Sequence, residues 1–123
     1  MGQSTDAIIC YGVSFPEETI PEFNEGDTDA SFKAEKKRNP VGYMAWSGDK
    51  VDGLELVRHC SADYPMHILA IEGTTQRAWR GEPVPVRQMM PVQTAWDEKL
   101  KAFCEAHGLP FSQPQQWLCS DWS

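Results

Sequence analysis

The first quarter of this chain has no lysine and no arginine. Residues 1–32 hold seven acids (Asp6, Glu17, Glu18, Glu22, Glu25, Asp27 and Asp29), and the whole net charge of −7 sits there. Residues 33–123 keep eleven acids against all eleven bases, so they sum to zero. A field of this sign repels nucleic acid and attracts basic protein surfaces. Long apolar runs are also missing, and none approaches the roughly 20 residues that span a bilayer. Polar Met1 to Asp6 carries no basic segment followed by an apolar stretch, which excludes a secretory signal in this segment. Cysteine is sparse and spread out. Cys10, Cys60, Cys104 and Cys119 form no CxxC pair and no secreted-framework spacing. They read as thiols in a reducing compartment, where each serves as a small hydrophobe. These absences point to a cytoplasmic protein with no membrane partner.

The usual catalytic signatures are absent too: GxSxG, HExxH, the P-loop and GxGxxG. No internal repeat, low-complexity tract or linker interrupts the 123 residues, which fit one domain over 1–123. A chain of this length buries a real core unaided. Five tryptophans (Trp46, Trp79, Trp96, Trp117 and Trp122) are many for it, and such rings fill a core or mark a contact surface.

Periodicity sets out the elements. Residues 7–15 are apolar on both parities and predict a central strand, with Gly12 marking a bulge or a close approach. Residues 16–28, with Pro16, Pro21, Gly26 and most of the acids, read as a loop. Thr28 or Asp27 caps a surface helix over 29–38, acidic at its start and basic at its end, which Asn39-Pro40 stops. Residues 41–53 read as a loop or short strand pinned by aromatics. Residues 54–60 and 66–72 form a hairpin about Asp63, placing Cys60 opposite Met66, His59 opposite His67 and Val57 opposite Leu69. Arg77 to Gly81 extends the second strand into a turn, and Pro83, Pro85 and Pro91 argue against regular structure beyond it. The longest helix spans 95–107, with Thr94 and Asp97 as a capping box, a stripe of Trp96, Leu100, Phe103 and His107, and Gly108 as its stop. A last strand covers 116–122. The expected fold is a two-layer α+β domain: a mostly antiparallel sheet of about four strands packed by one long C-terminal helix.

Three clusters are candidates for function. The exposed acids Glu17, Glu18, Glu22, Glu25, Asp27 and Asp29 form either a solvated loop or a docking surface for a basic partner. Arg77, Trp79 and Arg80, with Trp46, offer an alternative pocket for a nucleotide-like small ligand, since arginine beside an aromatic holds phosphate or stacks on a base. Their competing role is a charged strand edge. His59, Cys60, Asp63 and His67 have the residue types of a metal or nucleophilic site. His59 and Cys60 nevertheless point to opposite faces of one strand, and the spacing fits no zinc motif. No metal, no cofactor and no catalytic residue is therefore assigned.

Several segments together resemble a group of small proteins from tailed phages and prophages. They are Ser4-Thr5-Asp6-Ala7 running into Tyr11-Gly12, and Cys60-Ser61 followed by Tyr64-Pro65-Met66 and Ile68-Leu69-Ala70-Ile71. Arg80-Gly81, Trp96-Asp97 and the closing Trp117, Leu118, Ser120 and Trp122 complete the set. Residues 16–50 fall outside the resemblance. The group has no established activity, so no catalytic residue carries over. What it implies is expression in a bacterial cytoplasm, where small acidic proteins of phage origin are often inhibitors of host defences, anti-CRISPR proteins among them. The expectation is a non-enzymatic inhibitor that meets the basic surface of a bacterial defence protein or nucleoprotein complex without touching nucleic acid.

Overall fold

In the computed structural model, described over residues 5–16, 19–61, 65–79, 81–86 and 93–122, strand β1 (Thr5–Ser14) organises the sheet. It pairs antiparallel with β5 (Gln115–Trp122) from Thr5 to Gly12. On its other edge it meets β3 (Pro65–Ile71) at Gly12 to Ser14 and the short β4 (Gln76–Ala78) at Ala7 to Ile9. Strand β2 (Leu54–Ser61) pairs with β3 along its length and runs parallel to β5 at Cys60–Asp121 and Ser61–Trp122. The order is β3-β2-β5-β1-β4, and the additional β3–β1 pairing joins the strands into a ring.

The α+β class matches the expectation, and the finer description agrees only roughly. Among the described residues the sheet is mixed and five-stranded, with three helices: α1 (Asp29–Arg38), α2 (Pro40–Ser47) and α3 (Gln93–Ala106). The parallel contact arises where β2 and β5 close the ring with their C-terminal ends. Such a contact leaves no sequence signal.

Parity explains the doubly apolar β1. Ile8 and Cys10 face inward with Val57, Ile68 and Ala70, closed over by Trp117 and Cys119. Tyr11, Val13 and Phe15 face the other way, against Leu54, Leu69 and Ile71 and against Val41 and Met44 of α2 and Leu100, Phe103 and Cys104 of α3. Gly12 sits where β1 and β3 nearly touch. A Cβ there would lie 2.0 Å from the Leu69 carbonyl oxygen, so the close approach is real. The same two-sided burial fixes the β2–β3 register. Val57 opposes Ile68 in the inner cluster and Leu56 opposes Leu69 in the outer one, one residue off the expected hairpin. Cys60 therefore meets Pro65, His59 meets Met66 and Arg58 meets His67, and the two histidines are not partners. Asp63 lies outside the described residues.

The segment 41–53 corrects the expectation most. Its first part is helix α2, because Asn39-Pro40 starts a helix as well as stopping one. The Asn39 Oδ1 accepts the Gly42 N–H at 3.0 Å, and Pro40 occupies the first turn, where its missing N–H costs nothing. Helix α1 is capped at Thr28 as expected, with Ser31 returning the bond to the Thr28 N–H at 3.0 Å. Helix α3 begins at Gln93, so Thr94 lies inside it and is not its cap. Asp97 instead accepts the Tyr11 hydroxyl, and the Trp96 ring stands 5.5 Å from that of Tyr11. Leu100, Phe103 and Cys104 bury the helix, while His107 lies past its end against Phe103, with Gly108 in the left-handed region at φ 65°.

Candidate functional site

The acidic segment is exposed in side chain and fixed in backbone. Glu22, Glu25, Asp27 and Asp29 are all exposed, whereas Glu17 and Glu18 lie outside the described residues. Between them Phe23 is buried. The Asn39 amide donates to the carbonyls of Pro21 and Glu22, at 3.2 Å each. The Asn24 N–H donates to Glu35 Oε2 at 3.2 Å, and the Gly26 N–H donates to Asn24 Oδ1 at 3.1 Å. The Arg38 guanidinium, with the Asn24 N–H, holds the Glu35 carboxyl below the usual carboxylate range. The segment then passes directly into the Thr28 cap. Its four carboxylates sit on one pinned stretch of chain rather than scattered over the molecule. The bases of α1, Lys36, Lys37 and Arg38, lie in its last turn, about 10–14 Å along the axis from Asp29, while the Pro21–Glu22 end of the acidic segment runs back beside that turn, where Pro21, Arg38 and Asn39 line a small cleft.

Phe23 is held by a four-ring cluster. Phe23, Phe32, Tyr43 and Trp46 contact one another in all six pairings, with centroids 5.1–6.2 Å apart. Trp46 is thus a neighbour of the acidic segment, not of Arg77. It remains 50% exposed. The sequence alone groups it with Arg77 because a loop or short strand over 41–53 does not bring it to Phe23, whereas helix α2 does.

The rest of the alternative pocket is only partly assembled. Arg77 places its guanidinium 5.4 Å from the Trp79 ring, but Arg80 lies outside the described residues. Arg77 is also already engaged. Its Nη1 is 2.8 Å from Asp6 Oδ2 and 3.7 Å from Asp121 Oδ2. Asp6 and Asp121 oppose each other on β1 and β5, and both are more than nine-tenths buried. Two carboxylates so placed repel unless a cation sits between them, which is the role of Arg77. Their remaining Oδ1 atoms and His59 Nε2 are buried without hydrogen-bond partners among the described residues. Asp121 and Arg77 border a cleft of about 590 Å³ that Glu55, Arg58 and His67 also line. This polar knot was missed in the sequence. The signal was there in parity: Asp6 and Asp121 share the inward parity of Ile8 and Cys119.

The histidine–cysteine cluster does not assemble. His59 faces inward with Val57, while His67 shares the opposite face with Arg58. Burial holds both imidazoles below the usual histidine range, with Asp121 partly opposing this at His59 and His59 and Arg58 adding to it at His67. Cys60, the next-to-last residue of β2, has φ 77°. Among the described residues no group of three ligands is placed to hold a metal. All four cysteines are free thiols; burial pushes Cys10 up to about 12 and Cys104 up to about 11.

Comparison with protein-family models, with curated proteins and with solved structures finds no match to this chain. Among the described residues no helix is long and apolar enough to cross a membrane. A reading of function therefore rests on the chemistry of these sites.

Proposed function

We propose that the chain is a non-enzymatic binding protein whose Pro21–Asp29 segment docks onto a basic protein surface. One observation carries this reading: Glu22, Glu25, Asp27 and Asp29 are exposed together on a backbone that Asn39 and Phe23 tie to the helices. A preordered carboxylate strip loses little entropy on association and speeds the encounter with a basic partner. The phage and prophage resemblance names the setting. The partner is a component of a bacterial defence system in the cytoplasm, and the strip occupies a surface that otherwise holds nucleic acid. Direct nucleic-acid binding is disfavoured, because phosphate contacts supply most of that affinity and the chain is acidic.

The test is phage plating on a panel of strains, each carrying one nucleic-acid-binding defence system. Expression of the chain raises plaquing on at least one strain. The variant Glu22→Lys/Glu25→Lys/Asp27→Lys does not. Unchanged plaquing on every strain, or full activity of the triple variant, overturns the reading.

The cleft beside Arg77 supports a second reading, a small-molecule or nucleotide-signal binder. A thermal-shift panel of nucleotides decides it, since a ligand at 100 times its dissociation constant adds about 2.7 kcal/mol of stability. No shift with any nucleotide removes it.

A further inference from the structure

Among the described residues strand β2 keeps part of one edge open. It pairs with β3 from Leu54 to Cys60, whereas β5 joins its other edge only at Cys60 and Ser61. The backbone bonds show which way each residue turns. The Gly53 carbonyl accepts the Glu72 N–H at 3.0 Å, on the β3 side. Leu54 exchanges both of its bonds with Val51, at 2.9 and 3.0 Å, and so faces away from β3. Backbone groups alternate along an antiparallel strand. Glu55, Val57 and His59 therefore bond to β3, while Leu56 and Arg58 turn outward as Leu54 does. Val51 covers Leu54, and β5 covers Cys60. Between them no strand of the described residues covers Leu56 or Arg58.

This gap opens into the cleft of about 590 Å³. Glu55, Leu56, Val57 and Arg58 all line it. Consecutive side chains point to opposite faces, so the cleft runs along the edge of β2 and not over one face. Asp121 lines it where β5 closes the edge, and the buried Oδ1 of that residue has no hydrogen-bond partner. Met44 and Ala45 wall it on the α2 side. Leu54 to Cys60 span about 20 Å, room for an extended segment of about five residues. Unmet N–H and C=O groups at strand spacing call for another backbone in the same conformation. The recess turns away the β2 edge of a second copy, which is itself sunk between Val51 and β5.

We propose that the open edge of β2 takes up an extended peptide segment of a partner protein as an added antiparallel strand. The segment exchanges both backbone bonds with Leu56 and with Arg58. Side chains opposite those two residues share their face and set the specificity. Arg58 is half exposed and meets Asp121 only at 3.9 Å, beyond hydrogen-bond reach, so it selects an acidic residue opposite it. Leu56 selects an apolar one. The pattern recognised is acid–x–apolar, read from the N-terminus of the segment. This proposal does not rest on the acidic docking segment, and it gives the cleft an occupant other than a nucleotide.

The test uses the full chain and the end-blocked heptapeptide Thr-Glu-Thr-Leu-Thr-Glu-Thr, one face of which carries acid, apolar, acid. In the free protein the Leu56 and Arg58 amides exchange quickly with solvent and the Val57 amide slowly. Peptide slows both fast amides by about tenfold or more. N-methylation of the peptide's leucine, whose N–H faces β2, lowers affinity by about tenfold or more. N-methylation of a neighbouring threonine, whose N–H faces away, changes it by about twofold or less. Arg58→Glu reverses the charge preference, towards Thr-Lys-Thr-Leu-Thr-Lys-Thr. Because the methyl groups sit on the peptide, misfolding of the protein cannot imitate their effect. Slow exchange of Leu56 and Arg58 in the free chain overturns the proposal, since the edge is then already covered. No binding of the peptide, or equal loss from the two methylations, overturns it as well. Neither result touches the acidic docking reading.

Discussion

Asn39 joins the fold to the proposed site, and its removal has a calculable effect. The side chain is 6% exposed and makes three hydrogen bonds. Oδ1 accepts the Gly42 N–H at 3.0 Å, and Nδ2 donates to the carbonyls of Pro21 and Glu22 at 3.2 Å. Loss of a helix cap costs about 1 kcal/mol. Each of the other bonds contributes about 0.5–1.5 kcal/mol. Asn39→Ala therefore costs about 2–4 kcal/mol, a fall of roughly 8–16 °C in thermal midpoint for a domain of this size. Asn39→Ser separates the parts. Serine still caps α2 but cannot reach the two carbonyls, so it costs about 1–3 kcal/mol. Urea denaturation gives the stabilities, and hydrogen exchange of amides 20–25 reports the segment. Both variants raise exchange there, and both weaken basic-peptide binding without altering charge. An Asn39→Ala cost below about 0.5 kcal/mol, where three typical bonds predict several times more, refutes the pinning argument. So does unchanged exchange over 20–25.

Three further perturbations test the frame. Gly12→Ala drives a methyl to 2.0 Å from the Leu69 carbonyl oxygen and 2.7 Å from the Ala70 Cα, which forces β1 from β3. Urea denaturation registers a loss of about 3 kcal/mol, and wild-type stability contradicts the close approach. Arg77→Ala leaves Asp6 and Asp121 opposed and buried, and costs about 2–4 kcal/mol because the arginine is itself part-exposed. Adding Asp6→Asn and Asp121→Asn recovers most of that loss; no recovery contradicts the charge argument. The pH dependence follows from the buried histidines. Burial keeps His59 and His67 neutral in the fold, whereas in the unfolded chain they take up protons near pH 6.5. The unfolded state then binds more protons, so stability holds above about pH 6.5 and falls as pH drops below it. His59→Gln/His67→Gln flattens that fall in denaturation curves between about pH 7 and 5, and an unflattened slope assigns it to other groups.

Local rules made much of this architecture legible. Apolar runs located β1, β2, β3 and β5, and cap and stop residues placed α1 within its true bounds. Three things were not legible, each for a physical reason. Helix α2 hides because the Asn39-Pro40 pair that ends one helix also begins the next. The hairpin register depends on which apolar residues share a buried face, and that is decided by β1 and the helices rather than by the turn. The Asp6–Arg77–Asp121 knot joins three strands far apart in sequence. The acidic segment itself was visible, because charge asymmetry needs no fold to be counted. Its anchoring was not, since it depends on Asn39 and on Trp46 arriving through α2.

The most direct measurement is the affinity for octa-arginine as salt is raised, for the full chain and for Glu22→Lys/Glu25→Lys/Asp27→Lys. The full chain binds at low salt and loses affinity steeply as the field is screened. The reversed chain binds weakly throughout, with a nearly flat dependence. Two parallel curves of equal strength contradict the claim that these carboxylates form the binding face.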